Sequence, residues 1–308
     1  QRVQGKPGKA AALKDACQLV KSDIILVFDA DYTPGRGLIK QLVAPFFDPE
    51  VGLVMGRVVP MNTGRNLLTR MLDMERSGGY QVDQQARMNM GLVPQYGGTV
   101  GGVRRATYDD VGGWRDDTLS EDTDITYRAL LRGWKTVYQN RSECYEEVPE
   151  NWPVRIRQII RWAKGHNQSM LRYSLHVLFN RTLRFTERLD ALLLLGVYIM
   201  SPIILIGWVI GMILFYSGNL LLYSGYIPLL AIISYSSVGN TAAFFEIAAA
   251  VYLDGGKKRL RLLPFNMFNF LISILSVTCG LVSHACSPPE QREKWDKTAR
   301  FRTPKQPA

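Results

Sequence analysis

Three long apolar runs in the second half of the chain restrict what it can fold into. They cover residues 189–216, 220–253 and 262–285, and the only charges inside them are Asp190 and Glu246. Each run exceeds the roughly 20 apolar residues that a helix needs to cross a bilayer, whereas buried helices of soluble domains are usually shorter. The pattern predicts a membrane region of two to three α-helical segments over residues 189–286.

The basic residues beside these runs indicate how the region is oriented. A basic stretch at 257–261 lies between the second and third runs, and the positive-inside rule places it in the cytosol. The tail at 287–308 is basic too, although a full crossing by the third run would put it outside. The third run is therefore predicted to be re-entrant or interfacial, unless one boundary is misplaced, with a cytosolic tail after it.

The first half reads as a soluble α/β domain over residues 1–153. Short apolar runs at 23–28 and 51–56 are typical of strands, and 67–90 is predicted to be helical. We expect the first run to be a buried strand of a parallel sheet. Asp29 and Asp31 follow it directly, at the strand end where open α/β sheets bind ligands.

Two carboxylates one residue apart at a strand end favour a hard cation. Mg²⁺ typically takes one or two carboxylates together with substrate phosphate oxygens, so Asp29 and Asp31 are predicted to hold Mg²⁺ or Mn²⁺. Such a metal would neutralise a departing diphosphate. The alternative is a simple turn before Pro34.

Two glycine-rich segments add candidates for ligand binding. The turn at 5–10 leads into a helix start, where backbone amides and Lys9 suit a phosphate. The segment 96–105 contains four glycines, which would let the backbone approach a ligand closely. The alternatives are a solvated loop for the first and a sheet bend or bulge for the second.

The segment 116–124 is densely acidic. Its last part opens a predicted helix at 125–132, which Ser120 and Glu121 would cap. Acids at a helix start are favoured in any case. A carboxylate beside a metal site would instead be able to deprotonate an acceptor hydroxyl.

Residues 154–188 read as a basic amphipathic region before the membrane. The helix at 154–173 mixes arginines with apolar residues and a tryptophan, which suits the bilayer interface. Within it, Trp162 offers a flat apolar face to a sugar ring and Arg161 a partner for phosphate.

The net charge of +10 allows nucleic acid, anionic lipid or a phosphorylated substrate as a partner. No zinc-finger spacing or RNA-binding aromatic signature is present, so nucleic acid is not expected. The four cysteines form no CxxC pair, which favours reduced thiols, and the three histidines lack metal-ligand spacing.

Five motifs occur together from about residue 5 to residue 168. They are GKxxAL from Gly8, DxD at Asp29, a GG[TS] segment at Gly97, an [ST]ED at Ser120 and QxxRW at Gln158. In this order they resemble the processive family-2 glycosyltransferases, which include cellulose, chitin, hyaluronan and poly-N-acetylglucosamine synthases. The resemblance implies a nucleotide-sugar-binding domain of the GT-A type, followed by interfacial and transmembrane helices.

The resemblance also implies a role for each motif. Asp122 would be the catalytic base. The residues implied to bind the donor and its diphosphate are Asp29, Asp31, Lys9, Gln158, Arg161 and Trp162. The residues implied to contact the acceptor are Gly98, Thr99, Glu121 and Trp162. A looser match places a gating segment in the tail, at Trp295, Lys297, Thr298 and Arg300.

The implied function is inverting polymerisation of a β-linked polysaccharide from UDP-glucose or UDP-N-acetylglucosamine. The enzyme would be a multi-pass protein of the plasma (inner) membrane with a cytosolic catalytic domain, a growing polysaccharide as acceptor and accessory export subunits. The first strand of the domain, with its uridine-contacting aspartate, is expected to precede Gln1. The alternatives are single sugar transfer to a lipid carrier, a transporter with a transferase-like regulatory domain, and an inactive scaffold.

Overall fold

A computed structural model describes residues 8–217 and 241–286 of the chain. Within them a mixed sheet with flanking helices is followed by a helical region. The strands are β1 Ile24–Phe28, β2 Thr33–Pro34, β3 Val51–Pro60, β4 Val100–Arg104 and β5 Lys135–Glu146. The helices of the sheet domain are α1 Lys9–Leu19, α2 Leu38–Val43, α3 Leu67–Ser77, α4 Gln85–Asn89, α5 Arg105–Asp110 and α6 Glu121–Leu131. The later helices are α7 Trp152–Phe179, α8 Phe185–Leu195, α9 Met200–Tyr216, α10 Thr241–Leu253 and α11 Asn266–Cys286.

The predicted helix at 67–90 and the two predicted strands are confirmed. A π-helical turn, Gly78–Gln84, joins α3 to α4, and 3₁₀ turns occupy Ala44–Phe47 and Lys257–Phe265. The predicted helix after the acidic run is present but starts earlier, at Glu121. Ser120 occupies its N-cap position but forms no capping hydrogen bond with its side chain, so the predicted cap is wrong for Ser120.

The sheet has the strand order β1-β4-β3-β5-β2. β3 runs parallel to β5, while the pairs β1–β4, β3–β4 and β2–β5 are antiparallel. The expectation of a parallel sheet around β1 is therefore wrong for its described neighbour. The apolar character of β1 reflects burial on both faces, which does not specify strand direction.

Glycines in β4 permit close packing of the strands. A Cβ on Gly101 would come within 2.3 Å of the Val54 carbonyl oxygen and 2.7 Å of the Tyr96 ring. One on Gly102 would meet the Phe46 ring at 2.8 Å. Part of the glycine-rich segment therefore serves the structure of the sheet and not ligand binding.

The Gly101→Ala variant should lower the thermal unfolding temperature by about 5 °C, because the added methyl group overpacks a rigid strand pair. Gly64→Ala is the matched control, since a Cβ there would meet nothing within 4 Å. Circular dichroism melting curves would measure both. Equal melting temperatures for Gly101→Ala and the wild type would contradict this account of β4.

The hydrophobic core lies on both faces of the sheet. One cluster joins the sheet to α6 and to Trp114, which is 2% exposed. The other packs α2 and the following 3₁₀ turn on β3 and β5. A third cluster joins α6 to α7 and α8, through Tyr127, Tyr173 and Leu195. The long helix α7 is thus part of the packed domain along most of its length.

The apolar runs form helices of different kinds. The first run is not one straight helix, because α8 and α9 are bent by 68° at a break that follows Gly196. Among the described residues, one helix, Lys257–Cys286, is long and apolar enough to cross a membrane, or two if the bent pair counts as one span. Most of the second run and the predicted gating segment in the tail lie outside the described residues.

Candidate active site

A cavity of about 560 Å³ opens where β1 ends, bordered by α1, α6 and α7. It collects most of the candidate residues, although they lie between Lys9 and Trp162, across half of the chain. The sequence-predicted residues that line it are Lys9, Asp29, Asp31, Thr99, Glu121, Asp122, Gln158, Arg161 and Trp162. One predicted acceptor residue, Gly98, is not in the lining.

Asp29 and Asp31 stand at the mouth of this cavity. The Asp29 backbone N–H donates to the Thr99 carbonyl oxygen over 3.1 Å, which fixes the start of the turn after β1. Asp29 is half-buried and Asp31 is exposed. Their oxygen donors suit a hard divalent cation. The described residues contain no group of three or more acidic, cysteine or histidine side chains able to hold a metal, so the fit requires further oxygens from a diphosphate.

Lys9, at the start of α1, connects three parts of the site. Its Nζ lies 2.7 Å from Asp29 Oδ1 and 3.3 Å from Glu121 Oε1, and it donates to the Gly98 carbonyl oxygen over 2.8 Å. Burial disfavours the ammonium, but Glu121 and Asp29 outweigh this and raise the Lys9 pKa. The ammonium therefore ties the predicted metal pair to the acidic motif.

Glu121 and Asp122 form the first turn of α6. The Asp122 Oδ1 accepts a hydrogen bond from the Thr123 backbone N–H over 2.7 Å. Burial raises the pKa of Asp122, while the positive charges of Lys9 and Arg161 lower it in part. Burial, followed by the charge of Asp122, raises the pKa of Glu121. Two neighbouring carboxyl groups with raised pKa values in a cavity are typical of a proton-transfer site.

Another acidic residue of the same run, Asp124, has a structural role. Its side chain is 1% exposed and accepts hydrogen bonds from Arg128 Nη2 over 2.5 Å and from the Tyr173 hydroxyl over 2.5 Å. The Arg128 contact lies within α6, and the Tyr173 contact attaches α6 to α7. Asp124 therefore accounts for part of the acidity that helix capping alone left unexplained.

The loop before β4 closes one side of the cavity. Gly98 has a φ of 68°, and a Cβ there would lie 2.8 Å from the Asp122 Cβ. Only glycine adopts this positive φ without strain and leaves room for the Asp122 side chain. The Thr99 hydroxyl is buried, lines the cavity and has no hydrogen-bond partner among the described residues.

The three QxxRW side chains project from α7 into the cavity. The Gln158 Oε1 accepts a hydrogen bond from Arg155 Nη1 over 3.0 Å. The Trp162 ring carries two guanidinium groups, with Arg76 5.2 Å and Arg155 5.4 Å from the ring centroid. These cation–π contacts fix the ring plane and occupy part of the surface that was predicted to face a sugar.

Sequence reasoning missed several residues that line the cavity and whose polar or aromatic side chains can contact a ligand. They include Tyr32, Arg76, Tyr80, Gln95, Glu146, His166 and Tyr198. The buried Glu146 accepts hydrogen bonds from Arg76 Nε over 2.7 Å and from the Tyr32 hydroxyl over 2.6 Å. Tyr32 directly follows the DxD motif, and that position was a usable signal. Arg76 and Glu146 are 70 residues apart and carry no local pattern.

The cavity places a strand-end carboxylate pair beside Lys, Arg and aromatic side chains, an arrangement suited to a metal-bound diphosphate and a sugar. Residues 24–245 match the family model described as glycosyl transferase family group 2, and the chain belongs to that family. The resemblance to family-2 glycosyltransferases is thereby confirmed at the level of the family.

Two curated relatives are similar over a little more than half of the chain. A probable glycosyltransferase, YdaM, of Bacillus subtilis (strain 168) is 32% identical over 167 residues, which cover 54% of this chain and 40% of that protein. The probable glucomannan 4-beta-mannosyltransferase 1 of Arabidopsis thaliana is 31% identical over 178 residues, 56% of this chain and 32% of that protein. The matches thus cover well under half the length of either relative.

One solved structure shares the fold. It is the mannosyltransferase PcManGT from Pyrobaculum calidifontis in complex with GDP-Man and Mn²⁺. The TM-score is 0.50 and the identity 16%, over 91% of this chain and 67% of that one. The likeness identifies a GT-A-like fold with a mixed sheet, in agreement with the GT-A part of the predicted fold class.

Proposed function

We propose that this protein is an inverting glycosyltransferase that extends a β-linked polysaccharide from a nucleoside-diphosphate sugar. The observation that carries the proposal is the meeting of Asp29, Asp122 and Arg161 in one cavity. These residues supply an oxygen-ligand site, a base and a phosphate partner on adjoining walls. The family assignment supports a sugar as the transferred group.

Each group has a defined part in the proposed transfer. The Asp122 carboxylate accepts the proton of an acceptor hydroxyl, whose oxygen bonds to the anomeric carbon as the bond from that carbon to the diphosphate oxygen breaks. Asp29 and Asp31 would hold a divalent cation, which neutralises charge on the departing diphosphate. Arg161 and Gln158 orient the diphosphate, and Trp162 orients the sugar.

The family resemblance implies a UDP-sugar, whereas the relatives' names include mannosyltransferases and one neighbour was solved with GDP-Man. The experiment is a panel of UDP-glucose, UDP-N-acetylglucosamine and GDP-mannose with Mg²⁺ or Mn²⁺, read by release of nucleoside diphosphate. Release of UDP supports the proposed donor, and release of GDP alone would replace it. If no donor yields a nucleoside diphosphate, the proposed transferase function is wrong. Product length on a gel separates polymerisation from single transfer to a lipid carrier.

We further propose a multi-pass location in the plasma membrane, with the cavity facing the cytosol. The apolar helix Lys257–Cys286 and the bent pair α8–α9 support it. Two exposed cysteines on α11, Cys279 and Cys286, provide reporters. In sealed vesicles of one known orientation, an impermeant maleimide added outside should label Cys286 if that residue faces outward. If it faces the lumen, labelling should occur only after the bilayer is permeabilised. Labelling of both cysteines in soluble, membrane-free protein would contradict the location.

The proposed base predicts a pH dependence. Because burial raises the pKa of Asp122, the carboxylate is protonated as the pH falls through this raised value, and kcat/KM for transfer should fall with it. Lys9 lowers the pKa of both Glu121 and Asp122. The Lys9→Gln variant should therefore shift the acidic limb of the pH–rate profile to higher pH.

The matched control is Lys14→Gln, which removes an exposed lysine from the same helix. Its pH profile should coincide with that of the wild type. An unshifted acidic limb in Lys9→Gln would show that the titrating group is not the carboxyl pair beside Lys9.

A further inference from the structure

A continuous set of polar contacts joins α11 to the tryptophan of the cavity. Asn269 Nδ2, on α11, donates to Glu75 Oε2 over 2.8 Å. The Glu75 carboxylate, on α3, accepts two hydrogen bonds from Arg155 Nη2, over 2.5 and 2.7 Å. Arg155 in turn donates to Gln158 and stacks on Trp162. Asn269, Glu75 and Arg155 are called the arginine relay below.

The relay lies behind the cavity wall. Arg155 is 3% exposed and does not line the cavity, whereas both α7 side chains that it touches do. Asn269 is 6% exposed. Glu75 and Asn269 instead face a second cavity of about 470 Å³, between α3, α10 and α11. The relay therefore connects the surroundings of α11 with the site across α3.

Charge and shape make this connection stiff. A buried guanidinium needs a counter-ion, and the planar fork of Arg155 places Nη2 on Glu75 and Nη1 on Gln158, which restricts the plane of the group. The plane of the guanidinium sets the position of the Gln158 amide and the tilt of the Trp162 ring. Lysine would retain the charge but lose the fork and the stacking.

We propose that Glu75 and Arg155 are positioning residues that hold Gln158 and Trp162 in their productive orientation, and that α11 acts on this geometry through Asn269. The kinetic part of the proposal rests on the proposed transferase function. The relay makes no contact with substrate and contributes no group to the reaction. It adds a path by which a shift of α11 changes transfer at the cavity.

The variants Arg155→Lys and Glu75→Gln separate positioning from simple charge pairing. In the full-length protein, Arg155→Lys should lower kcat/KM about 100-fold, because misplaced orienting groups cost catalysis even when charge is retained. Glu75→Gln should lower it about tenfold. Asn269→Ala, at the far end of the relay, should lower it about threefold. We expect the losses mainly in kcat, and Glu75→Gln should also lower the melting temperature, because it leaves the buried Arg155 guanidinium without its counter-ion.

The matched control is Asp190→Asn. Asp190 Oδ1 pairs with Arg87 Nη1 over 2.5 Å, with both side chains less than 17% exposed, and so resembles the Glu75–Arg155 pair without touching α3 or Trp162. This variant should leave kcat/KM unchanged, and a loss equal to that of Arg155→Lys would overturn the proposal.

A second readout does not depend on activity. The fluorescence of Trp162 is isolated as the difference between each protein and its Trp162→Phe counterpart. Arg155→Lys and Glu75→Gln should increase acrylamide quenching of this signal, and Asp190→Asn should not. Unchanged Trp162 quenching in both relay variants overturns the proposal even if the wild type transfers sugar. Changed quenching supports it even if the proposed transferase function fails.

Discussion

Replacing Asp122 by asparagine should lower sugar transfer about 1,000-fold or more while nucleotide binding is retained. Asparagine has nearly the same shape, but it cannot accept the acceptor's proton. The Asp122 Oδ1 contact with the Thr123 N–H can be kept by the amide oxygen, so the start of α6 should persist. Radiolabelled-sugar incorporation and equilibrium binding of the nucleoside diphosphate would measure the two effects separately.

The control for this prediction is Asp117→Asn in the same acidic run. Asp117 is exposed and pairs with Arg172 at 3.3 Å, outside the cavity lining. Its variant should transfer sugar at the wild-type rate. If Asp122→Asn keeps substantial turnover, the base must be another group, and Glu121 is then the first candidate.

Replacing Asp31 by asparagine should weaken donor binding about 100-fold in the presence of Mn²⁺. The exposed carboxylate is one of two oxygen ligands predicted for the cation, and the neutral amide is a poorer one. Titration calorimetry with the donor, with and without EDTA, measures the loss. The wild type should lose affinity when EDTA is added, and the variant should change little.

Asp23→Asn provides the comparison for Asp31. Asp23 is an exposed acid just before β1, at the opposite end of the same strand. Its variant should bind the donor with wild-type, EDTA-sensitive affinity. Undiminished, metal-dependent binding by Asp31→Asn would remove Asp31 from the predicted metal site.

The sequence predicted those site residues that fall in short, recognisable motifs. Asp29 and Asp31 follow an apolar run, and Asp122 and Arg161 fall in short motifs, so neighbouring residues specify them. Arg76 and Glu146 could not be found in this way, because they meet only when α3 packs beside the end of β5. Strand direction was also mispredicted at β1, since pairing partners are chosen by the whole sheet.

In the helical region too, the sequence predicted the composition-based features and missed a local bend. Apolar composition predicted helices, and Lys257–Cys286 has the length for a span. Composition did not predict the 68° bend between α8 and α9. Gly196 ends α8, and Pro202 fits without a lost hydrogen bond in the first turn of α9. Hydropathy averaged over a window of residues does not detect a bend that occurs at two residues.

Lys9 has a consequence for the order in which the molecule is built. It bonds to Gly98, 89 positions away, and both must be in place before the cavity has its charge pattern. The β1–β4 pairing closes a loop of similar length, and the Lys9 contact can form only once that pairing has brought Gly98 beside α1. During refolding, protection of β1 and β4 amides from hydrogen exchange should therefore precede recovery of nucleotide binding. A partly folded chain would carry a finished sheet and no usable site.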